Sequence, residues 1–210
     1  SCSHSIPPVR IIHNNKIKFY FFVSIFFFLI ILFPNLSFCT YLNFPKDTNG
    51  WTILTPSTDS RILYVSSEGD DSAGQVYSST SPEIGTDPFK PTGAVQAFAT
   101  YEAAYAKTRD GYPDWILFKR GDSFNQSIDA GIRNGRSSTE PFVIGAYGSS
   151  GSSPVLNTPP TKYAIYKSNQ GMQWVAITGI TFYAYTRDPD NPGYISGDGK
   201  YGISIITGSY

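Results

Sequence analysis

Beyond residue 60 the chain alternates short apolar runs with clusters of Gly, Ser, Pro, Asp and Asn. Seven runs read as β-strands: 62–65, 115–118, 142–147, 154–156, 163–166, 174–182 and 201–206. They are rich in β-branched and aromatic residues, which suit a pleated, half-buried surface. The stretches between them, such as 148–154 and 188–193, are built from turn-forming residues. One stretch has another period. Between 92 and 109, Val95, Phe98, Tyr101 and Tyr105 recur at three- and four-residue steps, with Ala97 and Ala104 filling in. This predicts one amphipathic helix, with Thr92 as N-cap and Asp110-Gly111 as its stop. A single helix among many strands is not a βαβ alternation. Val143 to Ala164 spans 21 residues and Ile177 to Ile203 spans 26. Short strands returning at such intervals predict stacked turns of a parallel solenoid. An antiparallel sandwich also gives short strands and turns. Hairpin signals are few, however, and runs such as 115–118 fit strands with a buried inward face.

The first 39 residues are of a different kind. Lys16 and Lys18 precede a 15-residue apolar run at 19–33, followed by Leu36-Ser37-Phe38-Cys39. A basic end, an apolar stretch and small residues at −3 and −1 predict a secretory signal peptide over 16–39, with cleavage before Thr40; the alternative is an uncleaved anchor. The run is shorter than the roughly 20 residues that span a bilayer, so membrane contact is expected only through this segment. The protein is therefore expected to be secreted or at the cell surface. Residues 1–15 read as an upstream extension, because the only Met is Met172. Residues 40–60 read as a linker and 61–210 as the folded domain. The apolar run that reaches Tyr210 reads as interrupted, so a fragment lacking its C-terminal part is expected.

Charge and composition sharpen this division. The whole chain balances 16 basic against 16 acidic residues. Residues 40–210 hold 13 basic and 16 acidic side chains, while 1–39 hold Arg10, Lys16, Lys18, both His, both Cys and no Gly. Without a basic excess, no nucleic-acid partner is expected. Without His or Cys, residues 40–210 exclude disulfides, Cys-based zinc sites and any nucleophile paired to His. Chemistry then falls to Asp, Glu, Lys, Arg, Tyr, or a metal held by oxygen ligands.

Four stretches, in order, carry a family resemblance. They are Leu63-Tyr-Val-Ser-Ser-Glu-Gly-Asp-Asp-Ser-Ala-Gly74, Asp87-Pro-Phe-Lys90, Pro113-Asp-Trp-Ile-Leu-Phe-Lys-Arg-Gly-Asp122 and Val175-Ala-Ile-Thr-Gly-Ile-Thr-Phe182. Together they resemble the N-terminal part of secreted proteins of the pectin-lyase-like superfamily, over roughly residues 61–210. The insertion between Phe182 and Tyr201 departs from that pattern. The resemblance implies a mainly β fold, a right-handed parallel β-helix with an N-terminal capping α-helix. In that fold the helix covers the open end of the coil. Gly179 is expected at a tight corner between two short strands.

The resemblance also implies an extended polysaccharide as partner, a monomer, and activity of the polysaccharide lyase or glycoside hydrolase type. Lyases of this kind use Arg or Lys as base, often with calcium; hydrolases use paired Asp, about 5–9.5 Å apart. The catalytic turns are expected beyond Tyr210. The alternative is a non-catalytic β-helix: a carbohydrate-binding, adhesin or surface protein.

The densest candidate chemistry lies in the insertion. Arg187, Asp188, Asp190, Asp198 and Lys200 offer acids and bases, and Tyr185 and Tyr194 offer faces for stacking sugars. Asp188, Asp190 and Asp198 supply oxygen donors for calcium. The competing reading is a solvated loop held by turn chemistry. Glu68, Asp70 and Asp71 form a second acidic group, without the spacing of an EF-hand, and read as a turn. Arg133 and Arg136 are candidate anion contacts. Asn125-Gln126-Ser127 is a glycosylation sequon. Arg120-Gly121-Asp122, an adhesion tripeptide in spelling, reads as a turn. Trp115 and Trp174 are expected in the core, and Trp51 is the freer indole.

Overall fold

The computed structural model describes residues 44–129, 131–167, 171–199 and 202–205. The extension and the signal segment lie outside the described residues. Among the described residues ten strands carry the fold: β1 (Arg61–Val65), β2 (Val76–Ser78), β3 (Trp115–Lys119), β4 (Ser123–Phe124), β5 (Phe142–Tyr147), β6 (Val155–Asn157), β7 (Ile165–Lys167), β8 (Val175–Ile177), β9 (Thr181–Tyr183) and β10 (Ile203–Ile205). Among the described residues, one short helix, α1 (Tyr101–Ala106), and one 3-10 turn at Tyr185–Arg187 join them. The fold is mainly β.

Pairing is parallel wherever named strands meet, except between β1 and β2. The largest sheet runs β2-β1-β3-β5-β8, a second runs β4-β6-β9, and a third pairs β7 with β10. Ile128 bridges Ile165 in parallel and extends the third sheet. The chain thus passes from the first sheet to the second to the third in one order: β3, β4, Ile128; then β5, β6, β7; then β8, β9, β10. The antiparallel alternative is thereby set aside. The spacing expected from sequence also changes. Val143 pairs with Trp115 and Ala176, and Ile203 pairs with Ile165. Val143 is in β5 of the main sheet, whereas Ala164 lies outside the strands, just before β7.

Two apolar clusters flank the main sheet. Leu63, Val65, Ile116, Phe118, Phe142 and Ile144 face an interior shared with Phe124, Ile128, Leu156 and Ile165 of the other sheets. Ile62, Tyr64, Trp115, Leu117, Val143 and Tyr147 point the other way, under a cover that includes Tyr77, Ile84 and Phe89. Both faces of β1, β3 and β5 are therefore dry. That is why these segments are continuous apolar runs instead of alternating ones.

The helix is much shorter than its periodicity predicts. Residues 93–100 are not helical, and Phe98 bridges Val65 as a parallel neighbour. The Phe98 N–H donates to the Tyr64 carbonyl, and the Ser66 N–H to that of Phe98. Sheet pairing has overridden helix propensity here, because the β1 edge needs partners and an isolated helix of this length is only marginal. Thr100, not Thr92, is the N-cap, its hydroxyl accepting from the Ala103 N–H. Buried Tyr101 stacks on Phe118 at 6.2 Å, which ties α1 to the interior.

Gly69 and Gly74 of the first matched stretch have a packing reason. A Cβ on Gly69 would lie 2.3 Å from the Phe98 carbonyl oxygen, and one on Gly74 would lie 2.5 Å from the Phe98 ring. Gly179 sits between β8 and β9 with φ +70, the corner expected of it.

Candidate functional site

The insertion after β9 is a folded loop tied by its own turns. The Asp188 carboxylate accepts from the Tyr183 hydroxyl at 2.7 Å and from the Asp190 N–H at 3.1 Å. The Asn191 side chain accepts from the Gly193 N–H and donates to the Tyr183 hydroxyl. The hydroxyl of Tyr183 holds the Asp188 carboxyl below its ordinary range, and Asp188 in turn pushes the phenol up. Asp198 takes another part. Its side chain is 2 % exposed, accepts from the Thr186 hydroxyl, and lies 3.6 Å from Nε of Arg187. Arg187 donates to the Lys162 carbonyl, which fastens the loop to the preceding turn of chain.

Three of the five proposed acids and bases therefore have structural partners. Asp190 is exposed, and Lys200 lies outside the described residues. Among the described residues no group of three acids is placed to hold a metal ion, so Asp188, Asp190 and Asp198 do not assemble the proposed calcium site. Tyr185 packs against Gly193, where a Cβ would come within 2.9 Å of its ring, and Tyr194 is exposed. The two tyrosines do not share a lining with any cleft described below.

The other sequence candidates resolve in the same manner. Asp71 accepts from the Ala99 and Thr100 N–H groups and the Thr100 hydroxyl. Asp70 closes a local turn on Ser72, whose bonds lower its carboxyl. Glu68 pairs with Lys119. Arg136 is bound by Asp59 and Glu140, and Arg133 lies 4.5 Å over the Tyr105 ring. In Arg120-Gly121-Asp122, the acid accepts from the Ser66 hydroxyl and the Ser67 N–H, and Gly121 turns at φ +84. Trp115 is in the core as expected. Trp174 is not: it is 41 % exposed, at φ +53, where the left-handed backbone ahead of β8 turns its ring outward.

The feature the sequence reading missed is a cleft of about 600 Å³ over the outer side of the main sheet. Its floor comes from Ala146, Ala176, Ile177 and Gly179, its walls from Phe44, Trp51, Leu54 and Phe89, and its charges from Lys90 and Arg120. The segment read as a linker builds one wall. Lys46 and Thr52 bridge antiparallel, and the Asp47 carboxylate accepts from the Asn49 and Trp51 N–H groups. That small hairpin holds Trp51 at the cleft while leaving it 75 % exposed.

The opposite wall rests on the Asp87-Pro-Phe-Lys90 stretch. Asp87 accepts from the Phe89 N–H, and the Phe89 ring meets Trp115 at 5.2 Å. Gly145 leaves room for that ring, since a Cβ there would lie 3.1 Å from it. Lys90 is thereby presented to the cleft. Arg120 follows β3, where its N–H donates to the Tyr147 carbonyl. Its guanidinium lies beside the Gly179 corner. The signals available in sequence were the polar setting of Trp51 and the Phe-Lys pair; their proximity required the fold.

No protein family, no curated protein and no solved structure matches the chain.

Proposed function

We propose that this chain forms a right-handed parallel β-helix and belongs to a secreted protein that engages extended polysaccharide. The repeated passage through three parallel sheets in one order supports the coil. The position of α1 against Phe118 and the interior cluster supports its role as a cap. The signal-like segment supports export. The observation that carries the function is the open cleft beside the main sheet, with an exposed indole and two cations in an otherwise uncharged lining. Concave sites of this size with a few placed polar groups are the usual form of ligand sites.

Binding is the reading the geometry favours, because the acids of the 184–199 loop are mostly engaged in holding that loop. A lyase is the second reading, favoured by one observation: Arg120 lies in the cleft without a carboxylate partner among the described residues. Incubation with polyuronates and neutral glucans, with and without calcium, separates the two. Retention on immobilised polysaccharide without product supports binding. A rise in absorbance from an unsaturated uronate supports a lyase, and new reducing ends alone support a glycosidase. Neither retention nor product across both classes of polymer overturns the proposal.

A further inference from the structure

We propose that the cleft beside Trp51 binds a sugar ring carrying one anionic substituent, a carboxylate or a sulfate; the inference rests on the polysaccharide reading above. Three observations point the same way. First, the lining contains two cations and no acid. An anion entering it therefore meets attraction without a compensating like charge.

Second, the cations are available. Most other cationic side chains among the described residues are engaged. Arg109 pairs with Asp114, Arg136 with Asp59 and Glu140, Lys119 with Glu68, Lys162 with Asp129 and Arg187 with Asp198. Arg61 and Lys167 donate to backbone carbonyls, and Arg133 covers a tyrosine ring. Arg120 is the one arginine among the described residues whose guanidinium has no such partner. It is half-buried just after β3, with its guanidinium beside the Gly179 corner. A guanidinium with its donors unengaged can form two parallel bonds to a carboxylate or sulfate.

Third, Trp51 is the most exposed large apolar side chain among the described residues, yet it is held by the hairpin around Asp47. An indole kept in water at a fixed place offers a flat face for the C–H side of a sugar ring. Ring on Trp51 and anion on Arg120 and Lys90 account for both unusual groups with one ligand.

The test is a titration of the intrinsic tryptophan fluorescence of the full chain at low salt. The probes are a uronate oligosaccharide, its neutral methyl ester, a sulfated oligosaccharide of equal length, and inorganic phosphate. The expected result is saturable binding of the uronate or the sulfated chain, with the ester at least about tenfold weaker, as loss of a charged bond implies. Which anionic probe binds tighter identifies the substituent. Arg120→Met and Lys90→Met each weaken the anionic probe, and Arg120→Lys restores part of the loss. Trp51→Ala removes both binding and the signal, and isothermal calorimetry with Trp51→Phe checks binding independently of the indole.

Equal binding of acid and ester overturns the anionic inference while leaving the polysaccharide reading standing. Absence of binding to every saccharide overturns both. Displacement of a bound saccharide by inorganic phosphate at equal concentration overturns the sugar and assigns a phosphate ligand instead.

Discussion

The carboxylate of Asp71 holds Thr100 at two points, accepting from its backbone N–H and its hydroxyl, each at 2.9 Å. The same carboxylate accepts from the Ala99 N–H. The loop after β1 thereby orients Thr100, which caps α1 in turn. Asp71→Ala is expected to destabilise the protein by about 1–2 kcal/mol, the cost of lost capping bonds. Asp71→Asn should retain part of this. The denaturant midpoint, read with an unchanged slope, checks both variants.

Close approach at Phe98 gives a sterically defined prediction. In Gly69→Ala the new methyl meets a backbone carbonyl, which cannot move without disturbing the Phe98–Val65 bridge. A loss of about 1–3 kcal/mol is expected, as for overpacking in a dry core. Gly171→Ala, which meets nothing within 4 Å, should be near neutral. Thermal unfolding of the two variants compares them directly.

Asp114 is the most deeply placed acid in an ion pair. Its side chain is fully buried and accepts from Arg109 Nε at 3.1 Å, from the Arg109 N–H and from the Arg61 N–H, both at 2.9 Å. It joins β1 to the segment after α1, and the Asp114 carbonyl also accepts from the Val143 N–H. Asp114→Ala strands these donors and should cost about 3 kcal/mol, the low end for breaking a buried pair because Arg109 keeps some solvent. Equilibrium unfolding of Asp114→Ala and Arg109→Met tests it; the arginine variant should cost less than twice as much.

Alkaline behaviour follows from three phenols. Burial raises Tyr64, Tyr101 and Tyr147 above the ordinary tyrosine value. Their protons are held more tightly in the folded state than in the unfolded state. The stability they contribute is full below about pH 10 and is lost as pH rises beyond it. Tyrosinate absorbance should rise in two phases, the later one coincident with loss of the β-sheet circular dichroism signal. A single phase with folded signal intact would contradict their burial.

At the acid end, Asp188 and Asp59 behave in the opposite sense. Tyr183 lowers the carboxyl of Asp188, and Arg136 that of Asp59. Their contributions are present at neutral pH and are lost as pH falls from about 4 through the lower folded values. Carbon-detected NMR titration should place both carboxyls below the ordinary aspartate value, and Tyr183→Phe should return Asp188 toward it.

The strands were legible to different degrees for a definite reason. Residues 115–118 and 142–147 stand out because both faces of the main sheet are dry, which demands apolar side chains at every position. β4 was missed because two residues carry no period. The run 174–182 was read as one strand; Gly179 splits it, and the corner role of that glycine was nonetheless readable from its place in the run. The 92–109 segment shows helical spacing along its whole length, yet only Tyr101–Ala106 is helical. Local periodicity competes there with a strand edge that only the folded chain presents.

The candidate site divides in the same way. The loop acids were legible as chemistry because Asp, Arg and Tyr cluster in sequence, but clustering does not distinguish a ligand set from a set of turn bonds. Trp51 was legible as a free indole. Its neighbours in the cleft were not, because Trp51, Lys90, Arg120 and Gly179 lie far apart along the chain.

By itself, the sequence determined the strand-rich class, the principal apolar segments, the Gly179 corner and a chemistry without His or Cys beyond residue 39, since each depends on residue type or local period. The tertiary structure alone decided which strands pair, where the helix begins, which charges are neutralised and which remain facing a cleft. Those outcomes depend on contacts between distant segments, whose energies have no signature in any short stretch of chain.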